Sequence, residues 1–157
     1  MSITVRPYRE SDWLDICRIH DLARLDELRN SVGLDAFLTL EQTFENEGLF
    51  SNPVLVAELD GAVAGFVSPS AEEITWIYVD PAHYRRGVAR TLMNEVFASA
   101  GERIELEVLE GNSSARAFYE AIGFEYESSM TGKLAGNEAF QATGHTLVWH
   151  RASSILE

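Results

Sequence analysis

Positive charge is concentrated where a strand pattern gives way to a helical pattern. Arg85, Arg86 and Arg90 surround Gly87 at this point, directly before an apolar helical stripe. Backbone amides at a helix start have no intrahelical partner and carry a partial positive charge, so the segment is suited to hold a phosphate. Gly87 and the small Ala89 let an anion approach the main chain, and the guanidinium groups can add charge-assisted hydrogen bonds. The arginines could instead only solvate a helix start.

The elements before this segment follow from periodicity and turn residues. Alternating apolar residues predict strands at residues 3–6, 54–59, 62–67 and 74–79, and the pair Asp60-Gly61 predicts an antiparallel hairpin between the second and third. Helical spacing predicts a helix that starts at Ser11 or Asp12 and carries His20 on its apolar stripe, and a second helical stretch over residues 34–44. Residues 25–31 fit either helix or loop.

The elements after it alternate between helix and strand. An apolar stripe predicts a helix from Gly87 to Gly101, and the next strand, residues 103–109, directs Glu105 and Glu107 away from its apolar face. Asn112 or Ser113 can cap a further helix that ends at Gly123. Strands are predicted at residues 124–129 and 146–149, joined by a polar, glycine-bearing segment over residues 132–144. The order predicts one α/β domain over residues 1–157, with a mixed sheet covered by helices on both faces.

Composition limits the functions that this domain can have. The 157 residues include 12 Lys+Arg and 25 Asp+Glu, so the formal net charge is −13, which argues against a nucleic-acid or anionic-membrane partner. Cys17 is the one cysteine, so neither an internal disulfide nor a cysteine metal cluster can form. The histidines lack metal-ligand spacing, and we expect no metal. No apolar run approaches a membrane span, and we expect a cytoplasmic protein.

Two motifs at compatible spacing resemble those of the GNAT superfamily of acetyl-CoA-dependent N-acetyltransferases. The first is Val79-Asp80-Pro81 followed by Tyr84-Arg85-Arg86-Gly87-Val88-Ala89, which resembles V-x-P and then Q/R-x-x-G-x-G/A. The second, N-x-x-A-x-x-x-Y-x-x-x-G-F, is matched at Asn112, Ala115, Tyr119, Gly123 and Phe124. The predicted element order agrees over nearly the whole chain. The resemblance therefore implies a twisted, mostly antiparallel sheet of about six to seven strands.

The resemblance also implies where acetyl-CoA would bind. Backbone amides of residues 86–90, including Val88, would hold the pyrophosphate, with Arg85 nearby, and Asn112 would cap its helix and touch the cofactor. Strand residues Ile77, Tyr78 and Val79 would pair with the pantetheine arm as an added strand would. Tyr84 departs from the family pattern, which has a polar residue at that position. The departure puts cofactor affinity in doubt more than cofactor identity.

The chemistry of acetyl transfer calls for a base and an acid. An alkylamine with a pKa of about 10 is mostly protonated at neutral pH, at a cost of roughly 4 kcal/mol, so a base has a substantial task. By resemblance to the family's protein N-terminal acetyltransferases, Glu107 is the first candidate for this base. Glu73, a position that other members use, is the second, and water alone is the third possibility. Tyr119 matches the family's acid, which protonates the departing thiolate.

The acceptor is open at this stage. Acidic residues in the regions that flank the acceptor in the family favour a small cationic primary amine: Asp26, Glu27, Asp35, Glu41 and Glu138. A peptide or protein amine, at an N-terminus or a lysine, is the second acceptor class. A member that binds acyl-CoA as a sensor without turnover is a third interpretation. Many family members form homodimers, but nothing in the sequence indicates whether this one does.

Overall fold

Four strands form an antiparallel sheet in which each strand pairs with its neighbour in sequence. The structure is a computed structural model and describes residues 2–151. The strands are β1 (Ile3–Pro7), β2 (Leu55–Leu59), β3 (Ala62–Pro69) and β4 (Ile74–Val79), in the order β1-β2-β3-β4. Asp60 and Gly61 both have positive φ, 52° and 89°, which matches the turn predicted between β2 and β3. The hairpin prediction is confirmed.

Three further strands form a second antiparallel sheet: β5 (Arg103–Leu109), β6 (Glu125–Leu134) and β7 (Asn137–His150), in the order β5-β7-β6. The two sheets meet at a parallel bridge between Glu73 and Glu105, where the Glu105 amide donates to the Glu72 carbonyl at 2.8 Å. Beyond that bridge β4 and β5 do not pair with each other in the described part of the chain. The predicted fold class is confirmed, and the two strands leave a gap between them.

Helices cover both faces of the first sheet. The helices are α1 (Trp13–Arg29), α2 (Leu40–Thr43), α3 (Val88–Ser99) and α4 (Ser113–Ala121). α1 packs in one apolar cluster with Val56, whereas α3 packs in another with Ala57, and consecutive strand residues point to opposite faces. Gly65 lets α3 lie close to the sheet, because a Cβ there would meet Val88 Cγ1 at 3.0 Å. The start of α3 is therefore held against the end of β4.

The helical predictions before β2 need one correction. Residues 25–31, left open by the sequence, continue α1 as far as Arg29. The helical stretch predicted over residues 34–44 is wrong: it contains a 3-10 turn at Leu34–Ala36 and the single turn α2. Phe37 is extended, and the Thr39 hydroxyl accepts the Gln42 amide at 3.2 Å to start α2 anew. A capping side chain divided a stretch whose apolar spacing favoured one helix.

The polar, glycine-bearing segment predicted to join the last two strands over residues 132–144 forms part of a β-hairpin, so both strands are longer than predicted. β6 and β7 extend through it and turn at residues 135 and 136, with Gly136 at a φ of 88°. All of β6 except Leu134 is exposed, so the strand lacks the buried apolar face that a strand pattern usually marks. Cross-strand bonds stabilise it instead, such as the 2.7 Å bond between the Thr131 and Thr143 hydroxyls.

The tip of this hairpin is tied to the opposite side of the molecule. Arg24 Nη2 on α1 donates to the Ala135 carbonyl at 3.2 Å, and Asn137 Nδ2 donates to the Ala36 carbonyl at 2.9 Å. The hairpin therefore closes one side of the space beside β4 and β5. Across residues 2–151 no helix is both long and apolar enough to cross a membrane.

Candidate active site

The loop between β4 and α3 is held in place by a buried carboxylate. Asp80 Oδ1 accepts the Ala82 amide at 2.9 Å, and its Oδ2 accepts Arg18 Nη1 at 2.8 Å. Burial alone would raise the pKa of Asp80, but the bonds from Arg18 and the Ala82 amide outweigh burial and lower it below its usual range. Asp80 is therefore ionised at neutral pH and anchors the loop to α1.

The same loop exposes donors suited to an anion. Arg85 and Gly87 adopt left-handed conformations with φ of 63° and 90°, and Arg85, Arg86 and Arg90 are all exposed. The first intrahelical acceptor in α3 is the Gly87 carbonyl, which takes the Thr91 amide at 2.9 Å. The amides of residues 88–90 therefore have no intrahelical partner. The loop thus fits the pyrophosphate of acetyl-CoA.

Tyr84, the residue that departs from the family motif, lies near Asp26 of α1. The Tyr84 side chain is partly exposed, and burial and then the nearby charge of Asp26 on α1 raise the pKa of its hydroxyl. The hydroxyl is therefore protonated at neutral pH, beside an acidic residue. Tyr84 gives this loop an aromatic side chain where the family pattern has a polar one.

β4 presents a free edge next to this loop. Its residues Ile77, Tyr78 and Val79 pair with β3 on one side, and beyond the bridge at Glu73 the described chain offers no strand on the other. Unpaired backbone donors and acceptors on a strand edge can accept an extended amide-bearing ligand. The edge therefore fits a pantetheine arm that leads away from the pyrophosphate.

A cavity of about 310 Å³ lies beside the first part of β4, between β5, α1 and the hairpin tip. Both candidate bases, Glu73 and Glu107, are in its wall, and three further carboxylates are there as well: Glu27, Glu47 and Glu105. A neighbouring pocket of about 240 Å³, which contains Glu138, shares four lining residues with the cavity, so the two are contiguous. The arrangement forms one acidic site with an inner and an outer part.

Two of the five carboxylates in the cavity wall are paired with arginine. Glu27 Oε1 accepts Arg24 Nη1 at 2.7 Å and also the Tyr78 hydroxyl at 3.0 Å. Burial, followed by the charge of Glu27, raises the pKa of Tyr78, which therefore stays protonated as a donor. Glu105 accepts Arg103 Nη1 at 3.0 Å.

The other three carboxylates are unpaired. Glu47, Glu73 and Glu107 have no ion-pair partner within residues 2–151. His20 also lines the cavity, but burial lowers its pKa, and Asp21 Oδ1 lies 2.9 Å from its Nδ1. His20 is buried, which agrees with its predicted place on the apolar stripe of α1. The cavity is consequently left with uncompensated negative charge.

Tyr119 lies on the opposite side of β5 from Glu107. It is 9% exposed, packs edge-on against the rings of Phe118 and Phe124, and is not in the cavity wall. Its hydroxyl makes no hydrogen bond to the described residues. Burial raises its pKa, and the charge of Glu27 adds to the effect, so the phenol is protonated at neutral pH. The structure thus places Glu73 and Glu107 in the wall of one cavity. It leaves the Tyr119 phenol outside that wall, without a hydrogen-bond partner among the described residues.

Asn112 begins α4 without capping it through its side chain. It occupies the N-cap position with φ −84° and ψ 66°, and its side chain makes no cap hydrogen bond. The capping role expected from its residue type is therefore not observed. The carboxamide remains available to a ligand.

Some residues of the acidic site were not found from the sequence. Glu105 shares the strand face of Glu107, so strand alternation could have identified it. Glu47 and Arg24 carry no local signal, because they reach the cavity only through the packing of α1 and the segment after α2. Of the acidic residues expected to flank an acceptor, Glu27 and Glu138 line the site, whereas Asp26, Asp35 and Glu41 do not.

Comparisons with known proteins agree with this geometry. Residues 51–126, which run from the turn before β2 to the start of β6, match the family model described as an acetyltransferase (GNAT) domain. The chain is 26% identical over 127 residues to the uncharacterized N-acetyltransferase YafP of Escherichia coli K12, covering 79% of this chain and 82% of YafP. It is 35% identical over 79 residues to the N-alpha-acetyltransferase RimI of Mycobacterium tuberculosis H37Rv, covering 50% of each.

Solved structures share the fold. A structure of yncA, a putative acetyltransferase from Salmonella typhimurium determined with its cofactor acetyl-CoA, superposes with a TM-score of 0.66 and 21% identity. The match covers 96% of both chains. At this identity the likeness shows the fold alone.

Proposed function

We propose that the chain, which matches the GNAT acetyltransferase model over residues 51–126, is an acetyl-CoA-dependent N-acetyltransferase whose acceptor is a small-molecule primary amine with a further positive charge. The uncompensated carboxylates of the acidic site carry this proposal. The side chains of Glu73 and Glu107 are exposed and that of Glu47 is half-buried, so together these unpaired charges give the cavity a negative potential that attracts a cationic ligand. Glu107 and Glu73 line the inner part and would meet the reacting amine, which leaves Glu47 and, in the outer part, Glu138 for a second charge.

The shape of the site supports a small acceptor. A volume of about 310 Å³ is in the range of small-molecule sites. The bond from Arg24 to the Ala135 carbonyl and the bond from Asn137 to the Ala36 carbonyl tie the hairpin tip to α1 and to the turn at Leu34–Ala36, and so close the wall that an extended peptide would need to cross. A peptide N-terminus remains the second candidate, because of the likeness to RimI over half of the chain.

Different residues of the chain would have different roles in the reaction. The exposed arginines and free amides at the start of α3 bind the pyrophosphate, and the free edge of β4 orients the arm. Acetyl-CoA, when bound, supplies the acetyl thioester. Glu107 takes a proton from the acceptor ammonium, directly or through water, and Glu73 is the alternative base. Tyr119, kept protonated by burial, donates a proton to the leaving thiolate.

The proposal is tested by matched pairs of amines. Thiol release from acetyl-CoA is measured with 1,4-diaminobutane and with butylamine, which have the same chain length and differ in one charge. We expect the diamine to have the higher kcat/KM by about tenfold, the effect of one charge interaction of roughly 1.4 kcal/mol. Equal values for the two amines, or a preference for peptide N-termini over both, would contradict the proposed acceptor.

A variant locates the second charge within the site. Glu47→Gln removes one unpaired carboxylate without changing its size, and we expect it to reduce the preference for the diamine while butylamine is acetylated as before. Glu41→Gln is the matched control, because Glu41 is exposed on the neighbouring α2 and does not line the site. An unchanged diamine preference in Glu47→Gln would show that the second charge binds elsewhere.

A further inference from the structure

The Glu107 side chain occupies the space that a side chain at position 144 would need. Gly144 lies on β7, where it is buried and pairs with Leu109 of β5 and Met130 of β6. A Cβ at this position would lie 2.5 Å from Glu107 Oε2 and 2.7 Å from its Cγ, and would overlap its Cδ as well. Real Cβ atoms do not approach other heavy atoms so closely.

The backbone gives no other reason for a glycine there. Gly144 is not among the glycines with positive φ, and it keeps a regular register with strands on both sides. A buried glycine within a strand weakens it and commonly marks a close approach by another group. The approaching group here is the carboxylate of Glu107.

We infer that Gly144 is a positioning residue for Glu107. The inference rests on the proposed role of Glu107 as the base. Gly144 is absent from the cavity wall, whereas Glu107 is part of it, so position 144 acts on the reaction only through that side chain. The missing Cβ allows Glu107 to lie across β7 while its carboxylate faces the cavity.

A methyl group at position 144 would affect activity more than stability. The atoms it meets belong to the flexible end of Glu107, which can rotate away with little strain in the sheet. The rotation moves the carboxylate from its place at the cavity, and misplacement of a reacting group by about 1 Å can cost roughly a hundredfold in rate. The expected result is a folded protein with a misplaced base.

The experiment compares Gly144→Ala with Gly132→Ala. Gly132 is a strand glycine on β6 with ordinary φ and no atom within 4 Å of its built Cβ, so it is the matched control. We expect Gly144→Ala to lower kcat by about tenfold to a hundredfold. The KM for acetyl-CoA and the thermal midpoint should stay close to those of the unmodified protein, and Gly132→Ala should change none of them.

A double-mutant cycle separates positioning from a general structural effect. In the Glu107→Ala background the side chain that the new methyl would displace is gone, so Gly144→Ala should have no further effect on kcat. An equal loss in both backgrounds, or full activity of Gly144→Ala in the parent, would overturn the inference. If Glu107→Ala itself keeps full activity, the role of Glu107 as base fails instead, while acetyl transfer by the unmodified protein still tests the proposed acceptor.

Discussion

The acidic cavity and the arginine loop, which is the segment from Asp80 to Arg90 between β4 and the first turn of α3, adjoin the same strand and carry opposite charge. The cavity lies beside the start of β4, where Glu73 and Glu107 have no ion-pair partner within residues 2–151. The loop follows the end of β4, and its arginines are exposed around free helix amides. The contrast shows that a chain of net charge −13 can bind an anion when it confines positive charge to one short segment.

The two regions also differ in how they are assembled. The arginine loop is continuous in sequence and uses backbone amides that any helix start provides. The acidic cavity draws its carboxylates from α1, the segment after α2, the start of β4 and β5. The arginine loop should therefore bind the anionic acetyl donor, and the acidic cavity should bind the cationic acceptor. Each region can be mutated without changing the other.

The largest effect is expected at Tyr119, which belongs to neither of the two regions. Tyr119→Phe removes the phenol proton and should lower kcat by about a hundredfold, because a positioned acid contributes roughly that factor or more. The KM values for donor and acceptor should hardly change, since neither region is altered. The control is Tyr126→Phe, which removes a phenol hydroxyl from the partly exposed edge strand β6. Turnover by Tyr119→Phe at the parent rate would contradict the acid role.

The anchor of the arginine loop should give the next largest effect. Asp80→Asn weakens the bonds to Arg18 and the Ala82 amide, and we expect a loss of about 2 kcal/mol in the free energy of unfolding at neutral pH. Because the folded pKa of Asp80 is lowered, its contribution is full above the unfolded pKa of about 3.9 and is lost as pH falls through the folded pKa.

Chemical denaturation at several pH values measures this dependence. The difference between parent and Asp80→Asn should be constant at neutral pH and shrink only below about pH 4. Asp35→Asn, at an exposed position, is the control and should show no such trend. A difference that persists unchanged in acid would indicate that the ionised form of Asp80 is not what anchors the loop.

Removing positive charge from the arginine loop should weaken the binding of acetyl-CoA and leave the binding of the acceptor unchanged. In the double variant Arg86→Gln and Arg90→Gln, we expect the Kd for acetyl-CoA to rise about tenfold and to depend less on salt. The calorimetric control is pantetheine, which lacks the pyrophosphate and should bind the variant and the parent alike. Arg29→Gln, on the exposed end of α1, controls for net charge. If pantetheine and acetyl-CoA were weakened equally, the pyrophosphate would not lie at this loop.

The smallest effect tests the departure from the family motif. Tyr84→Gln replaces an aromatic side chain near Asp26 with a carboxamide that can donate to a phosphate oxygen, and we expect acetyl-CoA to bind about threefold more tightly. Tyr84→Leu removes the same ring without adding a donor and should give no gain. Tighter binding of acetyl-CoA by both variants would mean that the Tyr84 ring obstructs acetyl-CoA and that the added carboxamide contributes nothing.

Prediction from sequence succeeded where the local pattern was strong. The predicted strands at residues 74–79 and 103–109 agree with β4 and β5, because apolar alternation and turn residues bound them on both sides. It failed for the length of the hairpin formed by β6 and β7, because β6 is almost wholly exposed, and for residues 34–44, where the Thr39 cap restarted the helix. The capping role of Asn112 was plausible by residue type, but its side chain makes no such bond.

The sequence by itself determined the strands, the main helices, the arginine loop and the family motifs, because each depends on residues that are neighbours along the chain. The tertiary structure alone decided which carboxylates share a cavity, which of them are paired with arginine, and why position 144 is a glycine. Those features depend on distances between side chains that lie far apart in sequence, such as Glu107 and Gly144 or Arg24 and Ala135. Local periodicity carries no information about such distances, since packing between elements sets them.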